Sequence, residues 1–213
     1  MNFEAWRNQA RHYLQKGVPP QFADWSQEEK LLFEEEFALT PLSNPQVQKE
    51  FLELASLVAH SRFPDRWSLL YRLIYRLNHE SRDLLKVSID PDVMRAENLA
   101  RSVRRDIHKM HAFVRFKENI IEGQKTYVAW HQPEHPIVEL AAPFFMRRFG
   151  DRPWSIFTPD QSAHWNLETL SFSNGISQKD FHHTDPFDEV WKTYYKSIFN
   201  PARDVSKILG ELA

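Results

Sequence analysis

The hydrophobic period of this chain changes near Ala112, and that change limits the folds open to it. Up to Met110 the apolar residues recur at helical spacing; from Ala112 onward they alternate as in strands. The stretch from Leu99 to Glu118, LARSVRRDIHKMHAFVRFKE, carries the switch. A helix here would gather Arg101, Arg104, Arg105 and Lys109 on one side. Phe113, Val114, Arg115 and Phe116 then read as a strand. Cations beside aromatic strands are what a nucleic-acid surface needs, charge for phosphates and flat rings for bases. A solvated helix face feeding a core strand accounts for the same residues without a ligand.

The flanking segments fit an α+β chain. Residues 3–16 read as a helix, ended by Gly17 and Pro19-Pro20. Helices follow over 45–60 and 65–79, and a long one from Asp90-Pro91 to about Met110. Residues 112–118 and 125–131 are strand candidates around a turn at Glu122-Gly123. Residues 136–149 return to helical period, 153–158 and 163–172 to strand, and helices over 185–199 and 201–212 close the chain. The expected architecture is a helical N-terminal part packed on a small, mainly antiparallel sheet, with C-terminal helices. No Gly/Pro/Ser linker separates the two parts, so residues 1–213 are expected to form one α+β unit, with a helical lobe over about 1–111 and a sheet lobe over about 112–213.

The net charge of −2 conceals an uneven distribution. Residues 60–117 hold 13 Lys/Arg against 7 Asp/Glu, whereas residues 1–59 hold 5 against 9. Local charge, not the total, steers a polyanion. Arg72 and Arg76 fall around the 65–79 helix and are expected to form a second stripe beside Arg101, Arg104, Arg105 and Lys109, with Arg115 beyond it. Acidic segments folding over the basic one would cancel this field. Zero Cys excludes disulfides, thiolate catalysis and sulfur-ligated zinc. There is no apolar run of membrane-spanning length and no secretory h-region, so a cytoplasmic protein is expected, without a membrane partner.

The sequence carries no familiar catalytic motif. Five Gly leave no phosphate-binding glycine loop, and there is no GxSxG elbow. Ten His form chance pairs but no HExxH spacing, so neither metal nor cofactor is expected. The remaining candidates are polar groups among large rings. Glu134, His135 and His164 are candidates for acid or base work; His111, Trp130, Trp154 and Trp165 could stack a base or line a pocket. If His111, Arg115, Trp130, Glu134, His135 and His164 converge on one cleft, it could receive an extruded base. Otherwise Glu134 is a helix cap or forms a structural ion pair with Arg115, and the rings are core.

Several runs together resemble a known family. They are Asp90-Pro91 through Arg105, HKMHAFVRF (108–116), YVAW (127–130), PEH (133–135), AAPFF with RF (141–149), WSIFTPD with HW (154–165), WKTYYKSIFNPAR (191–203) and the N-terminal WRNQAR…GVPP. They are similar to an uncharacterised bacterial family described as probable DNA metabolism protein. That domain also occurs fused ahead of a uracil-DNA-glycosylase-like domain and encoded beside a radical-SAM protein with a helix-hairpin-helix motif. The resemblance implies DNA repair or metabolism, with DNA and a radical-SAM or uracil-DNA-glycosylase-like protein as partners. It does not assign a reaction. Two functions are therefore expected: a nucleic-acid-binding accessory module working with a repair enzyme, or an enzyme acting on a damaged or modified base or nucleotide in an aromatic pocket.

Overall fold

Capping chemistry sets the first helix. In the structure, a computed structural model that describes residues 1–25, 45–121 and 124–183, helix α1 spans Phe3–Lys16. The Asn2 side chain accepts the Ala5 N–H at 2.8 Å. Gly17, at φ 70°, ends the helix with a left-handed cap that a residue bearing a Cβ would strain. Helices α2 (Lys49–Ala59), α3 (Arg66–His79) and α4 (Pro91–Phe113) follow. The chain divides into two compact units, residues 1–106 and 107–213, with the division inside α4.

The first unit is a helical bundle with an aromatic core. Trp6 and Trp67 stack 6.0 Å apart, and the Trp6 indole donates to the Trp67 carbonyl at 3.2 Å. Tyr71 is fully buried and its hydroxyl donates to the Val18 carbonyl at 2.7 Å, so burying the ring leaves no polar atom unsatisfied. Burying each such ring contributes roughly 1.5–3 kcal/mol.

The second unit is built on five strands: β1 (Lys117–Ile121), β2 (Gln124–Trp130), β3 (Trp154–Phe157), β4 (Gln161–Trp165) and β5 (Leu170–Asn174). Their order in the sheet is the order of the chain. All pairs are antiparallel except β2–β3, which is parallel and joined through helix α5 (Val138–Arg148). This is an α+β protein. Register and alternation give the sheet two different faces. Trp154 faces α5, its ring 6.2 Å from Phe145. Phe157, on the opposite face, meets Phe181 of the short helix α6 (Gln178–His183) at 5.6 Å.

Two element boundaries differ from the sequence reading. Phe113 ends α4 instead of opening a strand, because the Val114 N–H still donates to the Met110 carbonyl at 3.1 Å. The strand then begins at Lys117. The segment expected as one strand over 163–172 is a hairpin. The Asn166 side chain accepts the N–H groups of Glu168 and Thr169 at 2.9 and 2.7 Å, turning the chain between β4 and β5. The turn at Glu122-Gly123 and the two closing helices fall outside the described residues.

Candidate functional site

Helix α4 buries Val93, Ala96, Ala100, Val103 and Met110 along one side. The same helical period leaves Arg101, Arg104, Arg105, His108 and Lys109 exposed on the other. Among the described residues their partners are few and weak. Arg101 donates to the Asn98 side chain at 3.1 Å, Arg104 lies 3.9 Å from Glu97, and Lys109 lies 4.0 Å from Glu134. Exposed pairs of this length contribute little and leave the cations open to other anions.

Arg72 and Arg76 do not form the expected second stripe. Arg72 lies 2.9 Å from Asp92; Arg76 lies 2.7 Å from Asp90, 2.9 Å from Glu80 and 3.3 Å from Asp92. Two cations thus face three carboxylates, which leaves no positive charge for a phosphate. Bonding to Arg76 holds the Asp90 carboxyl below the usual carboxylate range, and bonding to Asp90 holds the Arg76 guanidinium above its own. The spacing within the 65–79 helix showed the arginines, but not the carboxylates that the start of α4 sets against them.

The expected histidine cleft is divided by the sheet. His164 pairs with Ser155 in the β3–β4 register and shares its face with Phe157 and Trp130, opposite α5. Its ring is buried, 2.9 Å from the Ser155 hydroxyl and 2.8 Å from the Ser173 hydroxyl, and burial pushes its pKa down to about 3. Trp130 donates to the Ile176 carbonyl at 3.2 Å. On the other side, His111 stacks on Phe144 of α5 at 4.1 Å and donates to the Ala141 carbonyl at 3.2 Å. Trp154 and Trp165 are cross-strand neighbours on the α5 face, and Trp165 donates to the Gly150 carbonyl at 3.2 Å. Glu134 is exposed and His135 buried in the loop before α5. One pocket cannot hold both His111 and His164.

What the α5 face does form is a groove of about 330 Å³, lined by Val114, Arg115, Phe116, Tyr127, Phe149, Arg152 and Trp154. Arg115 follows directly on α4, and its Nη1 donates to the carbonyls of Ala112 at 2.7 Å and Val114 at 3.1 Å. The Arg152 guanidinium sits 5.2 Å from the Tyr127 ring centre and pairs with its neighbour Asp151 at 2.7 Å. The Tyr127 hydroxyl donates to Glu118 at 3.3 Å. Of these lining residues, Arg115 and Trp154 stood out in the sequence as site candidates; Tyr127, Phe149 and Arg152 did not. The available signal was the FGDRPW run, where a turn delivers an arginine to the start of a strand. No lining residue is a carboxylate or a histidine.

A family model described as DUF4130, a domain of unknown function, matches residues 64–211. No curated protein and no solved structure matches the chain. Among the described residues no helix is long and apolar enough to cross a membrane, and no group of three or more His, Asp or Glu could hold a metal ion.

Proposed function

Since the chain belongs to the DUF4130 family, we propose from its own residues that it is a nucleic-acid-binding accessory module of DNA metabolism, with the exposed side of α4 as its phosphate-binding surface. The observation that carries this reading is the contrast between two sets of arginines. Arg72 and Arg76 are neutralised by carboxylates within hydrogen-bond reach, whereas Arg101, Arg104, Arg105 and Lys109 stand exposed along one helix. Such a row suits a regularly spaced polyanion. The fusion and gene neighbourhood implied by the family resemblance point the same way, to a repair enzyme of the radical-SAM or uracil-DNA-glycosylase-like kind as the protein partner. Among the described residues no carboxylate or histidine lines the groove, which favours binding over base-processing chemistry.

The test is fluorescence anisotropy of labelled DNA across a salt series. The parent should bind with a steep salt dependence. The Arg104→Ala/Arg105→Ala variant should bind every sequence more weakly and lose about one unit of slope per phosphate contact removed. A double variant that matches the parent in affinity and slope would sink the reading.

A further inference from the structure

We infer that the groove between the α4–β1 connection and the 149–154 turn is a subsite for one unpaired nucleobase with its phosphate. This deepens the reading of the protein as a nucleic-acid binder and rests on it. Four observations converge. The groove is large enough, since about 330 Å³ lies within the range of roughly 300–1,000 Å³ typical of small-molecule sites. Its lining is aromatic: Phe116, Tyr127, Phe149 and Trp154 offer faces and edges to a planar ring.

The third observation is the state of the arginines. Arg115 spends only Nη1 on the protein, bonding the last carbonyls of α4. Its exposed Nε and Nη2 have no acceptor among the described residues. A guanidinium fixed on one edge and free on the other presents two parallel donors, the geometry that a phosphate accepts. Arg152, at the opposite wall, is paired with Asp151 and keeps its guanidinium over the Tyr127 ring, so it holds that ring in place and leaves the phosphate to Arg115. Fourth, the Trp154 indole N–H is buried with no acceptor among the described residues. Buried donors are nearly always satisfied, so an orphan on a ring that lines the groove is a donor left over for a ligand that shifts that ring. Base carbonyls and ring nitrogens are acceptors of the right kind.

The base can come from a strand or from a free nucleotide, and the experiment separates the two. The full chain is titrated with labelled oligothymidylate, with the same strand carrying abasic sites, and with dTMP, thymidine and inorganic phosphate. The variants are Tyr127→Leu, Arg152→Gln and Arg104→Ala/Arg105→Ala, each checked by thermal melting. The parent should prefer the base-bearing strand to the abasic one by about ten-fold. Tyr127→Leu should erase that preference with the salt slope unchanged, whereas the α4 double variant should weaken both strands and keep the ratio. Equal binding of the two strands by the parent, or a ratio that survives both Tyr127→Leu and Arg152→Gln, overturns the subsite and leaves the α4 reading standing. If neither strand binds, the α4 reading fails and dTMP decides the subsite. Tyr127-dependent binding of dTMP, tighter than thymidine or phosphate, then identifies a free nucleotide as the ligand, and no binding of dTMP overturns the proposal. Should Tyr127→Leu not fold, Arg152→Gln, at a half-buried position, gives the same decision.

Discussion

The Arg76 guanidinium lies 2.7 Å from the Asp90 carboxylate, and that carboxylate also accepts the N–H groups of Asp92 at 3.0 Å and Val93 at 3.2 Å. One side chain therefore does two things. It caps the first turn of α4, and it ties that turn to α3. Pro91, in the first position of the helix, needs no acceptor for a backbone donor.

Asp90→Asn separates the two roles. Asparagine caps helices as well as aspartate does, so the variant loses the charge and keeps the cap. At neutral pH it should be less stable than the parent by about 1 kcal/mol, the scale of a partly exposed charged hydrogen bond. Because the folded-state pKa of Asp90 is depressed, the parent's advantage is present above the ordinary carboxylate value of about 4. It should vanish as pH falls through the lower folded-state value. Urea melts of both proteins over an acid series check this; a gap that stays constant down to pH 2 would refute it.

His164, a buried base, adds a pH dependence of the same sign in a higher window. Its folded pKa is about 3, against about 6.5 in an unfolded chain. Above 6.5 both states are neutral and nothing is lost. Below it the unfolded chain takes up a proton that the folded one refuses, so stability falls by about 1.4 kcal/mol per pH unit until pH nears 3. Burial of His111 acts in the same sense. His164→Gln, which can still bond Ser155 or Ser173, should lower stability at pH 7 and flatten the decline between pH 6 and 4. The readout is urea denaturation at several pH values; an unchanged slope would count against a neutral buried His164.

Gly175 holds the end of β5 against the start of β4. A Cβ there would sit 2.2 Å from the Pro159 carbonyl oxygen, a backbone atom that cannot swing aside, while Ile176 N–H is bonded to the Thr158 carbonyl at 2.8 Å. Gly175→Ala should cost about 2–3 kcal/mol. At Gly150 the corresponding approach, to the Met146 carbonyl, is 2.8 Å. Gly150→Ala should cost less, and chemical denaturation should rank the two variants in that order.

Much of the helical part was legible because local signals agree there. Gly17 and Pro91 mark ends where backbone chemistry dictates them, and the buried stripe of α4 follows its apolar period. The register near residue 113 was not legible, because Phe113 to Phe116 alternates like a strand while the Met110–Val114 hydrogen bond prolongs the helix. The sheet fared similarly: alternation located the strands but could not say that β2 and β3 run parallel, which follows from α5 crossing over between them. The site suffered most from this. Residues close in sequence or similar in type, such as His111 and His164, end on opposite sides of the sheet. Tyr127 and Arg152 meet only because the Tyr127 N–H bonds the Pro153 carbonyl at 3.1 Å, a pairing that no local pattern announces.

The two sets of arginines should come apart in a single experiment. Arg72 is tied to Asp92 at 2.9 Å, with its side chain 40% exposed. Arg72→Ala should therefore lower stability, by about 1 kcal/mol or less for so exposed a pair. Its charge is already taken up by Asp92, so its loss should remove no phosphate contact. Its DNA affinity should match the parent's and its salt slope should not move. Arg104→Ala/Arg105→Ala should do the reverse. Both side chains are exposed and Ala is the better helix former, so the melting temperature should hold or rise, while affinity drops and the salt slope shrinks by up to two units. Thermal melts and anisotropy titrations on the same preparations measure both quantities. A loss of slope in Arg72→Ala equal to that in the double variant would mean that the α3 arginines exchange their carboxylates for phosphates on binding, and the assignment of the interface to α4 alone would fall.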